Sequence, residues 1–385
     1  MNLSVLFFLM SAAFLFYVLI GYPIALALWS RFSDQPISKR FVPRRISVVI
    51  PVRNGRPWIE AKIRSLLESD YPRELLDVLV VSDGSSDGTD TLVETCSDPR
   101  VRLLSLPGRG KATAVTRGLE SVSSEIIVLT DVRQPFDTQA LQRLVACFAD
   151  RSVGVVTGEL VIREGRTQEE FNTGLYWKYE KWIRRNLNRV DAMLGATGSI
   201  YAIRREAIAP IPADVLLDDV YLPFVAVSRG FRIYFEEQAK AYDLPTSLQS
   251  EFRRKVRTQA GVYQIIRYFP SLLWPGNRRF VHFLSHKFGR LLLPFAMILL
   301  FASSFGLPQP WKTVAVCGQV VFYLIALTDP VIPEGTPIKR LSAVIRAFTV
   351  LVAAALCAVC VFVVPAQQLW KETSVTAARE TGDSR

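Results

Sequence analysis

Charged and amide side chains stand directly after four short apolar segments in the first 135 residues of this 385-residue chain. The four polar stretches are Arg53-Asn54-Gly55-Arg56, Asp83-Gly84-Ser85-Ser86-Asp87-Gly88-Thr89, Gly108-Arg109-Gly110-Lys111 and Asp131-Val132-Arg133-Gln134. Asp83 can accept hydrogen bonds from ribose hydroxyls or from a base N–H. Lys111 and the glycines beside it can offer charge and backbone amides to phosphate. Asp131 provides a hard oxygen ligand that suits Mg²⁺ or Mn²⁺ bridging a diphosphate.

Each of these stretches has a second, purely structural interpretation. The residues from Asp83 to Thr89 can form a turn and a helix N-cap, and Asp131 can cap the segment that follows it. Taken singly, Lys111 and Asp131 favour the structural interpretation. Four such stretches in order, each after an apolar segment, favour a nucleotide diphosphate site.

The elements that must position these residues alternate between strands and helices from Ile46 to about Phe280. Predicted strands cover Ile46–Val52, Leu76–Ser82, Val101–Leu104, Glu125–Thr130 and Val153–Leu160, and predicted helices cover Trp58–Glu68, Asp87–Cys96, Ala112–Val122 and Thr138–Phe148. This alternation predicts an α/β domain with a mostly parallel sheet and helices on both faces. Ligands of such sheets bind beyond the carboxyl ends of the strands, where the polar stretches lie.

Apolar segments flank this domain on both sides. Residues 1–30 carry no charge, and Arg31, Lys39, Arg40, Arg44 and Arg45 follow. A signal peptide ending near Ala25-Leu26-Ala27 is the alternative, but no basic residue precedes the apolar run. Leu291–Trp311, Thr313–Thr328 and Ala347–Trp370 predict three more spans, the middle one shorter. Positive charge in the adjoining loops predicts both termini outside and the middle of the chain in the cytoplasm.

The overall charge points to an anionic partner. The chain has 46 Lys and Arg against 35 Asp and Glu, a net charge of +11, which suits a phosphate-bearing substrate, anionic lipid or nucleic acid. A zinc site is hard to build from His282, His286 and five scattered cysteines.

Six motifs carry a resemblance to a known family. They are Val48–Asn54 (VVIPVRN), Val81–Thr89 (VSDGSSDGT), Gly110–Val115 (GKATAV), Thr130–Gln134 (TDVRQ), Gly198–Arg205 (GSIYAIRR) and Leu217–Val220 (LDDV). From about Ile46 to Gly261 the chain resembles the family 2 glycosyltransferases, especially membrane-bound members related to cellulose and hyaluronan synthases. The first two motifs together are the most specific.

The resemblance implies a glycosyltransferase A-type fold and an inverting transfer from a UDP- or GDP-sugar. Asp83 looks like the nucleoside-binding aspartate, and Asp131 like the first acid of the D-x-D metal motif, whose third position is here Arg133. Asp219 looks like the catalytic base, and Gly198–Tyr201 resembles the wall of the acceptor site. From the resemblance together with the local chemistry, we expect the nucleotide-sugar to be bound by Pro51, Asn54, Asp83, Lys111, Asp131, Arg254 and Arg257.

Local chemistry adds to these implied roles. Asp218 would raise the proton affinity of Asp219 by like-charge repulsion, which helps a base; the alternative is a pair of acids at a helix N-terminus. The basic run Arg253–Arg257 can clamp a diphosphate or lie on anionic lipid, and neither interpretation is favoured. Processive synthases of the family carry Q-x-x-R-W after the base, but residues 253–261 contain no Trp. Transfer of one or a few sugars is therefore favoured.

The predicted organisation is an N-terminal transmembrane helix (residues 1–30), a cytoplasmic catalytic domain with interfacial helices near its end (45–285), C-terminal transmembrane helices (290–370) and a tail (371–385). We expect a multi-pass protein of the cell membrane that uses Mg²⁺ or Mn²⁺ and transfers sugar to a lipid-linked or saccharide acceptor, with membrane lipids but no nucleic acid as partners. A processive polysaccharide synthase and a catalytically inactive scaffold of the same fold are the alternatives. A nucleotidyltransferase is less favoured because Arg53-Asn54-Gly55-Arg56 fits its loop poorly. A transporter is less favoured because the predicted membrane segments lack charged residues within their cores.

Overall fold

The computed structural model describes residues 2–162, 168–244, 248–333 and 335–364. The predicted tail (371–385) and the last residues of the predicted third C-terminal span (365–370) lie outside this part of the chain.

Within these residues, seven strands form one mixed sheet. They are β1 (Ile46–Val52), β2 (Leu76–Asp83), β3 (Val101–Leu106), β4 (Ile126–Leu129), β5 (Val153–Ile162), β6 (Tyr201–Arg204) and β7 (Arg232–Asp243). Their order across the sheet is β3-β2-β1-β4-β6-β5-β7. Strand β6 is antiparallel to β4 and β5, and the other neighbouring pairs are parallel. The prediction of a mostly parallel sheet is confirmed, and β6 and β7 extend it beyond the five predicted strands.

Helices connect and cover the strands. They are α1 (Leu3–Phe16), α2 (Tyr22–Phe32), α3 (Ile59–Leu67), α4 (Thr89–Glu94), α5 (Lys111–Glu120), α6 (Ala140–Ala146), α7 (Gln168–Arg189), α8 (Asp218–Ser228), α9 (Leu248–Tyr268), α10 (Phe280–His282), α11 (Gly289–Ser304), α12 (Trp311–Thr328) and α13 (Pro337–Cys357). A π-helical turn, Phe283–Phe288, joins α10 to α11, so that these elements form one continuous helix.

Both faces of the sheet are buried, which explains the nearly unbroken apolar sequence of its central strand. In β1, Val48 and Ile50 pack with side chains of α3 and α6, whereas Val49 packs on the opposite face with α5, α7 and α8. Successive residues of a strand point to opposite faces, and a parallel sheet covered by helices on both sides therefore needs apolar residues at every position.

Four helical segments in the described part of the chain are long and apolar enough to cross a bilayer. They are Leu3–Phe32, Phe280–Ser304, Trp311–Val331 and Pro337–Phe362. One precedes the sheet and three follow it, as predicted. Helix α1 packs along α11, and α11 and α12 pack against α13. Large apolar side chains such as Met10, Phe16 and Ile298 remain exposed on these helices, as expected of helices surrounded by lipid.

The last of these segments begins earlier than the sequence indicated. The predicted span starts at Ala347, but α13 starts at Pro337 after the Thr336 N-cap. Lys339 and Arg346, predicted to lie in a connecting loop, are therefore helical, and the side-chain nitrogen of each lies 3.3 Å from an Asp329 carboxylate oxygen. Asp329 is buried at the end of the preceding segment, and pairing of this kind is what allows charge within an apolar bundle.

Candidate active site

A cavity of about 790 Å³ lies beyond the carboxyl ends of β1, β2 and β4. All nine predicted site residues line it: Pro51, Asn54, Asp83, Lys111, Asp131, Asp218, Asp219, Arg254 and Arg257. Residues separated by more than 200 positions in the sequence thus share one cavity. Their location agrees with the predicted site, while their individual roles remain predictions.

Contacts between the loops that follow β1, β2 and β3 hold one side of the cavity together. Asn54, at a φ of 53°, accepts a hydrogen bond from the Ser86 amide through its side-chain oxygen (3.0 Å). Gly84 has a φ of 72°, and a Cβ at this position would lie 3.0 Å from backbone atoms of Gly108. A side chain at residue 84 would force the second and third polar loops apart, so glycine is required there for both conformation and space.

Asp83 organises one of these loops. Its carboxylate is buried and accepts hydrogen bonds from the backbone amides of Arg109 (2.7 Å) and Gly110 (2.8 Å). Each carboxylate oxygen has a second lone pair, so these bonds leave capacity for a ligand hydroxyl or base N–H.

Gly198 brings two of the acids together. Its amide donates to Asp219 Oδ2 (2.9 Å), and its carbonyl accepts from the Asp131 amide (3.1 Å). A Cβ on residue 198 would lie 3.3 Å from Asp219 Oδ2 and 3.4 Å from Asp131 Oδ2. The absence of a side chain therefore lets the carboxylates of Asp131 and Asp219 approach the same point from two different elements.

Lys111 forms ion pairs with two of the acids. Its Nζ is 2.8 Å from Asp131 Oδ1 and 3.3 Å from Asp218 Oδ1. Burial is the largest single influence and raises the pKa of Asp131, but Lys111, Arg257 and Arg133 together lower it more, so that the net pKa lies below the ordinary aspartate value. Asp131 is consequently ionised at neutral pH.

Asp219 has a different protonation behaviour. Burial, followed by the neighbouring Asp218 carboxylate, raises the pKa of Asp219 to about 6, and Lys111 and the Gly198 amide oppose the rise. Asp218 and Asp219 also form the first turn of α8, as the structural alternative predicted. A carboxylate whose pKa lies near neutrality is a better proton acceptor than an ordinary aspartate.

Lys62 is a positioning residue that the sequence reasoning missed. Its side chain is fully buried, and its Nζ donates to Thr130 Oγ1 (2.7 Å) and to the Gln134 carbonyl (2.5 Å). Lys62 thereby holds both ends of the loop that carries Asp131. Burial lowers the pKa of Lys62 well below its ordinary value, with the Asp131 charge opposing the shift. The available signal was a lysine on the apolar face of α3, beside Ile59 and Ile63.

Arg133, at the third position of the D-x-D-like motif, is also positioned by a distant acid. Its guanidinium lies 2.6 Å from the buried carboxylate of Asp243 at the end of β7, which also accepts from the Gln134 side chain (2.8 Å). Arg133 occupies the position at which a D-x-D motif has its second acid. Here it links the Asp131 loop to β7 at the edge of the sheet.

The predicted cationic clamp divides between two environments. Arg257 faces Asp131, Asp219 and Asp218; burial lowers its pKa and these acids oppose that change. Arg254, one turn earlier, forms an ion pair with Glu251 (3.0 Å). Within the basic run, Arg257 thus interacts with the charges of the three aspartates in the cavity.

The residues at Asp131 fit a divalent metal completed by a substrate. Among the described residues no group of three or more His, Cys, Asp or Glu side chains is arranged to hold a metal ion. Mg²⁺ sites commonly need only one or two carboxylates in addition to substrate phosphates, and Mn²⁺ prefers the same oxygen ligands. Asp131, whose side chain is 41% exposed, provides such a carboxylate, and the Asp219 carboxylate approaches the same point beside Gly198.

The central part of the chain matches a known family. Residues 47–211 match the model of Glycosyl transferase family 2, and they therefore form a domain of this family, as the motifs predicted. The chain is 23% identical over 229 residues to poly-beta-1,6-N-acetyl-D-glucosamine synthase of Staphylococcus aureus (strain COL), covering 57% of this chain and 55% of that protein. It is 23% identical over 271 residues to the probable glycosyltransferase YdaM of Bacillus subtilis (strain 168), covering 66% of this chain and 64% of that protein. The chain thus spans less than two thirds of each of these curated relatives.

One solved structure shares the architecture over most of both chains. It is the mannosyltransferase PcManGT from Pyrobaculum calidifontis in complex with GDP-Man and Mn²⁺, with a TM-score of 0.70 and 22% identity over 92% of this chain and 97% of that one. The glycosyltransferase A-type fold expected from the motifs is confirmed.

Proposed function

Because residues 47–211 form a family 2 glycosyl transferase domain, we propose that this chain transfers a sugar from a UDP- or GDP-sugar to an acceptor hydroxyl at a membrane, with inversion of the anomeric centre. The observation that carries the proposal is the meeting of Asp131, Asp218 and Asp219 around Gly198 and Lys111. The relatives of this domain are named as a synthase and as a probable glycosyltransferase, which supports the same reaction class.

Asp219 is the proposed base. In a single displacement, the acceptor oxygen attacks the anomeric carbon while the bond from that carbon to the diphosphate oxygen breaks. The acceptor proton passes to Asp219, which is held by the Gly198 amide and has a pKa of about 6. A positioned base of this kind accelerates a reaction by roughly 10²–10⁴.

The proposed donor side comprises Pro51, Asn54, Asp83, Lys111, Asp131, Arg254 and Arg257, all on the cavity wall. A divalent metal held by Asp131 would neutralise charge on the departing diphosphate. Lys111 and Arg257 add fixed positive charge beside the same carboxylate, which stabilises the leaving group without any reorganisation. The metal bound in PcManGT, Mn²⁺, makes Mn²⁺ the first ion to test here.

We place the catalytic domain in the cytoplasm, on the side that carries the basic residues following the first apolar segment. The proposed acceptor is lipid-linked or a saccharide, and transfer of one or a few sugars is favoured because residues 253–261 contain no Trp. Processive synthesis is the second candidate, since one relative is a polysaccharide synthase.

The test is a panel of UDP- and GDP-sugars, each assayed for hydrolysis and for thermal protection of the full-length protein, with Mn²⁺, with Mg²⁺ and with chelator. One nucleotide-sugar should be cleaved and should stabilise the protein in a metal-dependent manner. If none of them stabilises the wild-type protein or is consumed by it, the proposed function is wrong.

A further inference from the structure

The cavity has a second charged region, which is formed by helices. Lys255 of α9 and Lys287 of the continuous helix Phe280–Ser304 both line it. Arg290 and Glu180 adjoin them, and the Arg290 guanidinium forms an ion pair with the Glu180 carboxylate. We call Lys255, Lys287 and Arg290, with Glu180, the basic end of the cavity.

Positive charge exceeds negative charge among the described groups at the basic end. The charged groups that face Lys287 are Glu180, Arg290, Arg184 and Lys255, a single acid among three cations. That acid is already bonded to Arg290 and lies 3.7 Å from His286. Glu251, which also faces Lys255, is paired with Arg254.

Lys287 itself has no hydrogen-bond acceptor or ion-pair partner among the residues that the structure describes, although its side chain reaches the cavity wall. Cations removed from bulk water are normally paired. Lys287 is therefore the group at the basic end that can pair with an anionic group brought by a ligand.

The basic end and Asp219 line the same cavity. Arg184 faces both Asp219 and Glu180, so it links the acids with the basic end. Leu217 and Val220 form apolar wall of the cavity beside Asp219. A molecule held at Lys287 would therefore be able to extend along this cavity to Asp219.

Lys287 is also close to the start of an apolar helix. It is the eighth residue of the segment Phe280–Ser304, which is long and apolar enough to span a bilayer. Lysines near the ends of such segments lie at the level of lipid headgroups. An anionic group bound there can belong to a molecule whose apolar part remains in the bilayer.

From this geometry, and resting on the proposed glycosyl transfer, we infer that the basic end binds a phosphate group of the acceptor and thereby presents an acceptor hydroxyl to Asp219. Phosphate is the anion best matched to several lysine and arginine donors around one point. The phosphate is recognised and does not react: the new bond joins the acceptor hydroxyl oxygen to the anomeric carbon, the proton goes to Asp219 and the nucleoside diphosphate leaves.

The test measures ligand-induced thermal stabilisation of the purified full-length protein in a neutral detergent. The probes are geranyl phosphate, geraniol, inorganic phosphate, UDP and GDP. The variants are Lys287→Gln and Lys255→Gln. The matched control is Lys178→Gln, an exposed lysine on the same helix as Glu180 that lies outside the cavity lining.

Geranyl phosphate should stabilise the wild-type protein and Lys178→Gln, and geraniol should not. Lys287→Gln and Lys255→Gln should each lower the affinity for geranyl phosphate by about tenfold, because each substitution removes a charge-assisted hydrogen bond. Lys287→Gln should retain the wild-type response to UDP or GDP, which also shows that this variant is folded.

The outcomes separate the inference from the proposed function. Suppose that a nucleotide stabilises the protein, but geranyl phosphate stabilises it no better than geraniol does, or stabilises both lysine variants as much as the wild-type protein. The inference is then overturned, and the proposed glycosyl transfer survives. If inorganic phosphate binds as tightly as geranyl phosphate and depends on the same lysines, the phosphate site stands and its ligand is water-soluble. Failure of every nucleotide to bind the wild-type protein refutes the proposed function itself.

Discussion

The two ends of the cavity are built in different ways. At the strand edge, Asp131 and Asp219 are held by backbone groups of Gly198, and Lys111 is shared between Asp131 and Asp218. At the basic end, the charges lie on three helices, and Glu180 is shared among several cations. We call Asp131, Asp218 and Asp219, with Lys111, the acidic end; it is an arrangement of loops held by backbone hydrogen bonds, to which we assign the reacting atoms. The basic end is a charged surface between helices, to which we assign recognition of the acceptor, and the two can be altered separately.

The largest effect should come from Asp219→Asn, which changes chemistry without changing recognition at either end. Removal of the proposed base should lower kcat by about 10²–10⁴. Binding of nucleotide and of geranyl phosphate should remain, since neither proposed contact set depends on the Asp219 charge. Steady-state kinetics together with thermal shifts check this, and Asp34→Asn, an exposed acid outside the cavity, is the matched control. Loss of nucleotide binding in Asp219→Asn would show that the residue belongs to the donor site instead.

Asp131→Ala should affect the donor side alone. Loss of the proposed metal ligand should lower kcat/KM by at least about tenfold and abolish the increase in nucleotide affinity produced by Mn²⁺. The geranyl phosphate response should be unchanged. Titration of UDP and GDP with Mn²⁺ and with chelator measures the effect. Activity of the wild-type protein that persists in chelator would remove the metal from the proposal.

The pH dependence should report the acidic end. Asp219 must be deprotonated to accept the acceptor proton, so kcat/KM should fall about tenfold per pH unit below pH 6. Asp218→Asn removes a neighbouring negative charge that raises the pKa of Asp219, and it should move this acidic limb to lower pH. pH–rate profiles of the two proteins give the comparison. An acidic limb that stays at the same pH in Asp218→Asn would contradict the assignment.

The smallest of these effects on activity should come from Lys62→Met, which acts through the loop that carries Asp131. Methionine fills similar space but cannot donate to Thr130 or to the Gln134 carbonyl. The free energy of unfolding should fall by about 1–3 kcal/mol because a buried acceptor is left without its donor. Metal-dependent nucleotide affinity should also weaken, whereas geranyl phosphate affinity should not. Chemical denaturation and thermal shifts measure both, with Lys178→Met as control.

Sequence patterns were sufficient for the acidic end for a specific reason. Parallel strands place their carboxyl ends at one edge of a sheet, so polar residues after successive strands are brought together by the topology alone. This is why Asn54, Asp83, Lys111 and Asp131 could be predicted as neighbours from their positions after apolar segments. The bounds of the helices were less predictable: charge at Lys339 and Arg346 indicated a loop, but a buried partner, Asp329, allowed α13 to include both.

The amino-acid sequence alone therefore determined the layered domain, the flanking apolar helices and the positions of Asp83 and Asp131 at the strand edge, because each follows from local periodicity and from one rule of topology. Asp219 was expected beside them only from the family resemblance. Only the tertiary structure decided that Lys62 anchors the Asp131 loop, that Arg133 is bonded to Asp243, and that Lys255 and Lys287 meet in the same cavity. These contacts join segments far apart in the chain. The packing angles of helices that create them depend on all the side chains between, and no short motif records the result.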